Sequence, residues 1–380
     1  MSNAELLRSA EKARNVNKKM DGEIAMNTRP AGKGRTTCTC MVAIAMVAAI
    51  SFIAPWQSRA ATCSTGKPTP ITETWTASKV KSKGAEITIY SGPTDRGAQL
   101  QITSGIEKSL WVASTSASAI MKITTKGHAT LYTTPTRDAS PEAIAQNGRK
   151  MFFTEWNAAC AGSITASGEI KEYSTGLSQT QSTGMALGPH ATDWFVTDYN
   201  GIGKISAAGK IKLFSFGDEG NQPLAITAGP AGNMWFLEGV GPNIGYITPS
   251  GKITEYNTGL GDSYSFGIAT GSDGRIWFAE NGNNSIAAIT ANGKKISDYT
   301  AGFSGDPISI VAGPDGNLYF GETTPVVGRI TTKGKVTEFP FPATEGTFPI
   351  LGITVGPDKN IWFANNSHSQ VGVLKLPIKE

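Results

Sequence analysis

Four glutamates recur at one place in the sequence. Glu155, Glu238, Glu280 and Glu322 each stand two residues after an aromatic step: Phe152-Phe153, Trp235-Phe236, Trp277-Phe278 and Tyr319-Phe320. Carboxylates repeated in this way could ring a hard cation, and Glu238, Glu280 and Glu322 are the metal candidates. The alternative is a repeat-encoded acid that bonds neighbouring backbone. A second set mixes acids with aromatics: Asp218, Asp262, Asp306 and Glu345 alongside Trp156, Tyr199, Tyr264 and Phe348. Gathered in one place, these would suit a medium-sized small molecule, peptide or glycan; scattered, they are ordinary polar surface. Proton transfer near neutral pH points to histidine, and the chain has three: His128, His190 and His368. No phosphate loop, nucleophile elbow or metal triad is spelled out.

These residues are positioned by a repeat. The aromatic step centres on positions 111, 152, 194, 235, 277, 319 and 362, at intervals of 41 to 43 residues. Each unit parses into four short strands. In the sixth, Ile308–Val311 is strand a, Leu318–Gly321 strand b, Val327–Ile330 strand c and Lys335–Phe339 strand d. The turn Pro314-Asp315-Gly316-Asn317 joins a to b, because Asp-Gly accepts the positive φ of a tight hairpin. Lys333-Gly334 joins c to d, as do Lys126-Gly127, Ser167-Gly168, Ala208-Gly209, Ser250-Gly251 and Asn292-Gly293 in other units. Four short strands every 40–45 residues predict an all-β, seven-bladed propeller over residues 84–377. The seventh unit ends after strand c, and a lone d-like strand, Gly84–Tyr90, precedes the first unit. The N-terminal strand is therefore expected to complete the last blade and remove a free sheet edge.

This parse sorts the candidates by face. The b–c and d–a loops share one face, here called upper, and carry Trp156, Tyr199, Asp218, Asp262, Tyr264, Asp306, Glu345, Phe348 and His368. His128 and His190 fall on the opposite face. His368 is thus the one catalytic candidate, set against the reading that it is a solvated loop residue.

The unit G-P-D-G-N-L-W-F-x-E … I-G-x-I-T-x-x-G-K-x-x-E-Y is clearest in residues 228–256, 271–299 and 313–339. It resembles the virginiamycin B lyase (streptogramin B lyase) family of seven-bladed propellers. The resemblance implies a magnesium-assisted elimination that linearises a cyclic depsipeptide by breaking an ester C–O bond. That reaction needs a base for the α-proton, a polarised carbonyl and a donor for the leaving oxygen. It also implies histidines in a Pro-His-(Ala/Gly)-Ile-Thr step at the start of strand a in the last two blades. Here those steps read Pro307-Ile308-Ser309-Ile310 and Pro349-Ile350-Leu351-Gly352-Ile353-Thr354. The last-blade carboxylate of the W-F-x-E step is replaced by Asn365. The expectation is a ligand-binding propeller without the lyase histidines; the alternative is a magnesium-dependent C–O lyase acting on streptogramin-type depsipeptides through a divergent site.

The net charge of +4 is unevenly spread. Residues 1–60 hold nine Lys/Arg and four acids, net +5, which leaves the other 320 residues at −1. Without a basic stripe, the body is not expected to bind nucleic acid; it is expected to be a monomer. Residues 1–60 read as a basic segment and export signal, and 61–83 as a linker. Met41–Pro55 is uncharged, Lys33 and Arg35 precede it, and Ser58 and Ala60 form a small-x-small exit before Ala61. That pattern marks a secretory signal, for which a start at Met26 would give an ordinary basic region. The alternative is an uncleaved anchor, with residues 38–56 as the only membrane contact. Either reading places the body outside the cytoplasm. Beyond residue 60 only Cys63 and Cys160 remain, enough for one bridge and no metal-site spacing.

Overall fold

The computed structural model describes residues 63–93, 99–177, 180, 182–197, 201–216, 222–239, 243–260, 266–342, 349–365 and 369–376. Seven antiparallel sheets of four or five strands follow one another along the chain. Blade 6 is representative, with strands Pro307–Ala312, Leu318–Glu322, Val326–Ile330 and Val336–Pro340 in hydrogen-bonded order. The expected closure is present. Strand β4 (Ala85–Ser91) pairs with Gln370–Lys375, the third strand of blade 7, and so supplies its fourth. Among the described residues no helix is long and apolar enough to cross a membrane. The apolar stretch 41–55 lies outside them.

Two repeated glycine contacts build the wheel. On strand c, Gly162, Gly203, Gly245, Gly328 and Gly372 lie under the rings of Phe153, Phe195, Phe236, Phe320 and Phe363; a Cβ there would come within 2.0–2.5 Å of the ring. Each ring can thus lie flat over its own sheet and bury fully. In the c–d turns, Gly127, Gly168, Gly209, Gly251, Gly293 and Gly334 all have positive φ. Each supports an aromatic ring of the preceding blade: Tyr90, Tyr132, Tyr173, Phe214, Tyr256 and Tyr299. Those rings also lie close to the strand-b aromatic of their own blade, as Tyr299 stacks on Trp277 at 5.3 Å and Tyr90 on Trp362 at 5.8 Å. Every residue at the centre of an aromatic step is buried, with 0–1% exposure.

The stretch read from its composition as a linker carries three strands. These are β1 (Thr65–Gly66), β2 (Ile71–Thr74) and β3 (Thr76–Ser82). They add a fifth, outermost strand to blades 2, 1 and 7 in turn. An outer strand with a solvated face needs no apolar alternation, which is why Thr, Ser and Lys serve there. The strap is pinned by a Cys63–Cys160 disulfide at one end and by buried Trp75, whose ring covers Gly92.

Gly293 and Gly259 have matching φ of +72° and +71°, but a Cβ meets Tyr256 at 2.1 Å only at Gly293. Gly259→Ala should cost about 1 kcal/mol for the left-handed backbone alone. Gly293→Ala should cost a further ~1–3 kcal/mol by forcing two blades apart. Urea unfolding of the two variants measures the difference; equal losses would remove the ring-on-glycine contact as a determinant of blade packing.

Candidate functional site

Strand a of each blade faces the axis, and together these strands enclose a channel of about 490 Å³. Its lining mixes aliphatics with neutral polar groups such as Gln101, Gln146, Thr227, Thr270 and Thr354; among the described residues none of the lining side chains is ionisable. Neighbouring strands are tied by side chain to backbone bonds around the upper rim. Thr183 Oγ1 donates to the Leu224 carbonyl at 2.5 Å and Ser309 Oγ to that of Ile350 at 2.6 Å. Gln101 Nε2 reaches from blade 1 to the Thr183 carbonyl of blade 3 at 2.7 Å.

The steps where the resemblance places histidines sit on this rim. The register shifts between Pro307 and Ser309, so Ile308 is an extra residue in strand a. Ile308 is buried with 0% exposure and Ile350 with 1%. Ile350 donates its N–H to the Glu322 carbonyl at 3.1 Å and packs so close to Gly321 that a Cβ there would lie 2.5 Å from its own. Leu351 lines the channel. Apolar packing therefore occupies the places where the resemblance implies imidazoles.

Of the nine funnel candidates, two lie among the described residues. Trp156 follows strand b of blade 2 and is buried at 9% exposure. Asp306 precedes strand a of blade 6, half-buried, exchanging backbone and side-chain bonds with Thr323, and burial pushes its carboxyl up. Tyr199, Asp218, Asp262, Tyr264, Glu345, Phe348 and His368 lie outside the described residues. His128 and His190 are exposed, in a strand-d start and an a–b turn.

The four glutamates at the ends of strand b are buried, at 0–2% exposure. Each faces an acid of strand d in its own blade: Glu155 with Glu172, Glu238 with Glu255, Glu280 with Asp298 and Glu322 with Glu338. Glu238 also accepts from Asn243 Nδ2 at 2.8 Å, and Glu322 from Thr324 Oγ1 at 2.8 Å and Ser304 Oγ at 3.2 Å. Burial, reinforced by the second carboxylate, pushes Glu238 and Glu322 each up to about 8. Burial and, behind it, Asp298 push Glu280 up to about 7. The Glu238 and Glu322 pairs each hold a proton at neutral pH. Sequence reasoning picked out the strand-b glutamates but not their partners. The repeated motif itself contained both acids, one ending W-F-x-E and one inside K-x-x-E-Y. As to magnesium, the glutamates stand in separate blades. The only three-residue group of ligand type among the described residues is Glu155, Cys160 and Glu172, in blade 2. The described rim therefore does not supply the converging carboxylates that magnesium would need.

A closed seven-bladed ring around a neutral axial channel defines the class of protein. Residues 73–304 and 295–377 match the model of the virginiamycin B lyase family. The chain belongs to that family. A solved streptogramin B lyase is 28% identical, over 78% of this chain and 100% of that one, with a TM-score of 0.70. The virginiamycin B lyase of Staphylococcus aureus is 31% identical, over 77% and 99%, also with a TM-score of 0.70. A catalytically inactive histidine-to-alanine variant of that enzyme, solved with quinupristin, is 28% identical over 80% of this chain and 100% of its own, at 0.70. No curated protein sequence matches the chain.

The buried pairs set a pH dependence. Glu238 and Glu322 titrate near 8 when folded and near 4.5 when unfolded. The folded state then binds more protons than the unfolded one between these values, so stability is lost as pH rises from about 5 to 8. Tm should climb by roughly 2–5 °C on lowering the pH across that window. In a Glu238→Gln, Glu322→Gln variant the climb should flatten, since a neutral amide replaces the neutral acid. A slope identical to that of the parent would show that these pairs are ionised in the fold.

Proposed function

We propose that this chain is an exported family member that binds a ligand over the upper mouth of its channel and does not open depsipeptide rings. The observation that carries the reading is the apolar filling at 308, 350 and 351, where the resemblance puts the imidazoles. An elimination needs a base in reach of the α-proton, and buried isoleucines offer none. The neutral polar lining favours an uncharged or weakly charged ligand, and the acids and aromatics that the repeat assigns to upper-face loops would supply its polar contacts. A small molecule, a peptide or a glycan fits this description. Export is supported by the basic, apolar and small-residue succession before Ala61 and by the Cys63–Cys160 disulfide, a bond kept in oxidising compartments.

The second reading, a magnesium-dependent C–O lyase, is favoured by family membership and by nothing on the described rim. The two separate cleanly in the test tube. Purified protein incubated with a streptogramin B and magnesium should leave the macrocycle intact by mass spectrometry. A ring-opened dehydro product whose formation stops on adding EDTA would overturn the proposal. In parallel, a thermal-shift screen of depsipeptides, peptides and oligosaccharides should find a ligand that raises Tm by mass action. Binding of the intact macrocycle without turnover would name the ligand class.

A further inference from the structure

Blade 2 differs from blades 4 and 6 in what lies beside its carboxylate pair. Oxygens of Glu155 and Glu172 and the sulfur of Cys160 all lie within 4.8 Å of one another. Glu155 and Cys160 are both 0% exposed and Glu172 is 6% exposed. Glu172 is well supplied with donors: Ser64 N–H at 2.8 Å, Thr136 N–H at 3.0 Å and Thr136 Oγ1 at 2.5 Å. Glu155 has none. Neither of its oxygens meets an N–H or O–H donor, although both are buried. A buried carboxyl in that position must be neutralised, by a proton or by a bound cation. In the disulfide form one proton, held between Glu155 and Glu172, is enough, and burial with the neighbouring Glu172 charge raises Glu155 accordingly.

The bridge hides two more ligands. Cys63 and Cys160 have Cα atoms 5.9 Å apart. The backbone beside Cys63 does not depend on the bridge for its place. Ser64 and Glu172 exchange two bonds through Ser64 N–H and Ser64 C=O, strand β1 pairs Thr65 with Lys171 and Gly66 with Ile170, and Trp75 is buried further along the strap. Opening the disulfide therefore leaves the Cys160 thiol within 4.8 Å of both carboxylates, with the half-buried Cys63 thiol beside it as the ligand that must turn in.

We propose that the reduced form of this node is a closed site for a thiophilic divalent cation, zinc above all. Its ligands are the thiolates of Cys63 and Cys160 and the carboxylates of Glu155 and Glu172. Two sulfurs and two oxygens match zinc's tetrahedral preference, with Zn–S of about 2.3 Å and Zn–O of about 2.0–2.2 Å. Hard cations such as magnesium are selected against by the sulfurs. The steps balance. A dithiol reductant gives two electrons and two protons to the Cys63–Cys160 bond and is itself oxidised to a disulfide. Zinc then displaces three protons to solvent, two from the thiols and one from Glu155. A small disulfide takes the two electrons back, with two protons from solvent, and is reduced to thiols; the Cys63–Cys160 bond re-forms, the metal leaves and Glu155 regains a proton from solvent, so cation binding here is coupled to redox state and lies in blade 2, apart from the axial channel.

The test uses the full chain with Cys38→Ser and Cys40→Ser, so that any thiolate signal comes from this pair. Oxidised and dithiol-reduced samples, the latter freed of reductant under anaerobic conditions, are titrated with cobalt(II) and then zinc. The reduced protein should take up one cobalt per chain with a thiolate-to-cobalt charge-transfer band and tetrahedral visible bands, and zinc should displace it; the oxidised protein should show neither. Glu155→Gln should weaken cobalt binding at least ~10-fold, whereas Glu238→Gln, in the matching pair of blade 4, should leave it unchanged. Two results would each overturn the proposal: no band in a reduced protein that keeps its circular dichroism, or a band indifferent to Glu155→Gln. If reduction loosens the strap, a Cys63→Ser variant, bridge-free without reductant, is titrated instead. It should bind cobalt through the Cys160 sulfur, and a silent titration there counts against the site equally.

Discussion

Around the wheel, an aromatic ring from the outer strand of one blade rests on a turn glycine of the next, six times over. The contact demands three things at once. The turn must have positive φ, the residue must lack a Cβ, and the preceding blade must present a flat ring at the right height. Everything at the axis depends on it, because the mouth has the width that seven blades at this spacing impose. The seventh junction, between blades 6 and 7, cannot use the device. Blade 7 has no c–d turn, since its fourth strand arrives from the N-terminus. There Phe339 and Phe341 pack with Ile350, Phe363 and Leu374 in a purely apolar cluster. The ring thus closes by backbone pairing within blade 7 and by side-chain packing beside it.

That division explains what could be read from the chain without coordinates. The blades were legible because the glycine turns and aromatic steps are forced by geometry and so recur at fixed spacing. The N-terminal strand was legible for the same reason, as a repeat fragment out of place. The strap was not: Thr76–Ser82 lies outermost, mostly exposed, and an edge strand leaves no apolar signature. Trp156, a funnel candidate by its loop position, is buried at 9% exposure, because tertiary packing rather than repeat spacing decides how far a loop aromatic is covered. The carboxylate pairs fell between these cases. Glu238 and Glu255 are 17 residues apart with strand c between them, and nothing local says that two like charges will share one proton.

Those pairs also bear on catalysis. Groups poised near neutral pH are a common mark of active sites. Here Glu238, Glu280 and Glu322 carry that mark, as does Asp193, raised by burial to about 7. All four are buried to within 2%. A proton donor or acceptor must touch its substrate, and carboxyls shut between strands of one blade do not. Their shifted values follow from desolvation and pairing and belong to the fold.

The rim positions show why a single substitution would not seat an imidazole there. Ile350 is locked from three sides: its side chain against Gly321, its N–H on the Glu322 carbonyl and its own carbonyl under the Ser309 hydroxyl. An imidazole at that place would be buried at about the same depth, and a buried imidazole without partners is forced neutral and costs ~1–3 kcal/mol in unmade hydrogen bonds. Ile308, wholly buried at the bulge of strand a, sets the same condition one blade earlier. Placing a proton-transfer pair there would require the rim to open at Ile308 and at Ile350 together, with new donors for each ring. The apolar rim is therefore a packed state in its own right: it ties blade 6 to blade 7 at the one junction that lacks the ring-on-glycine contact, so that packing and proton transfer compete for the same two residues.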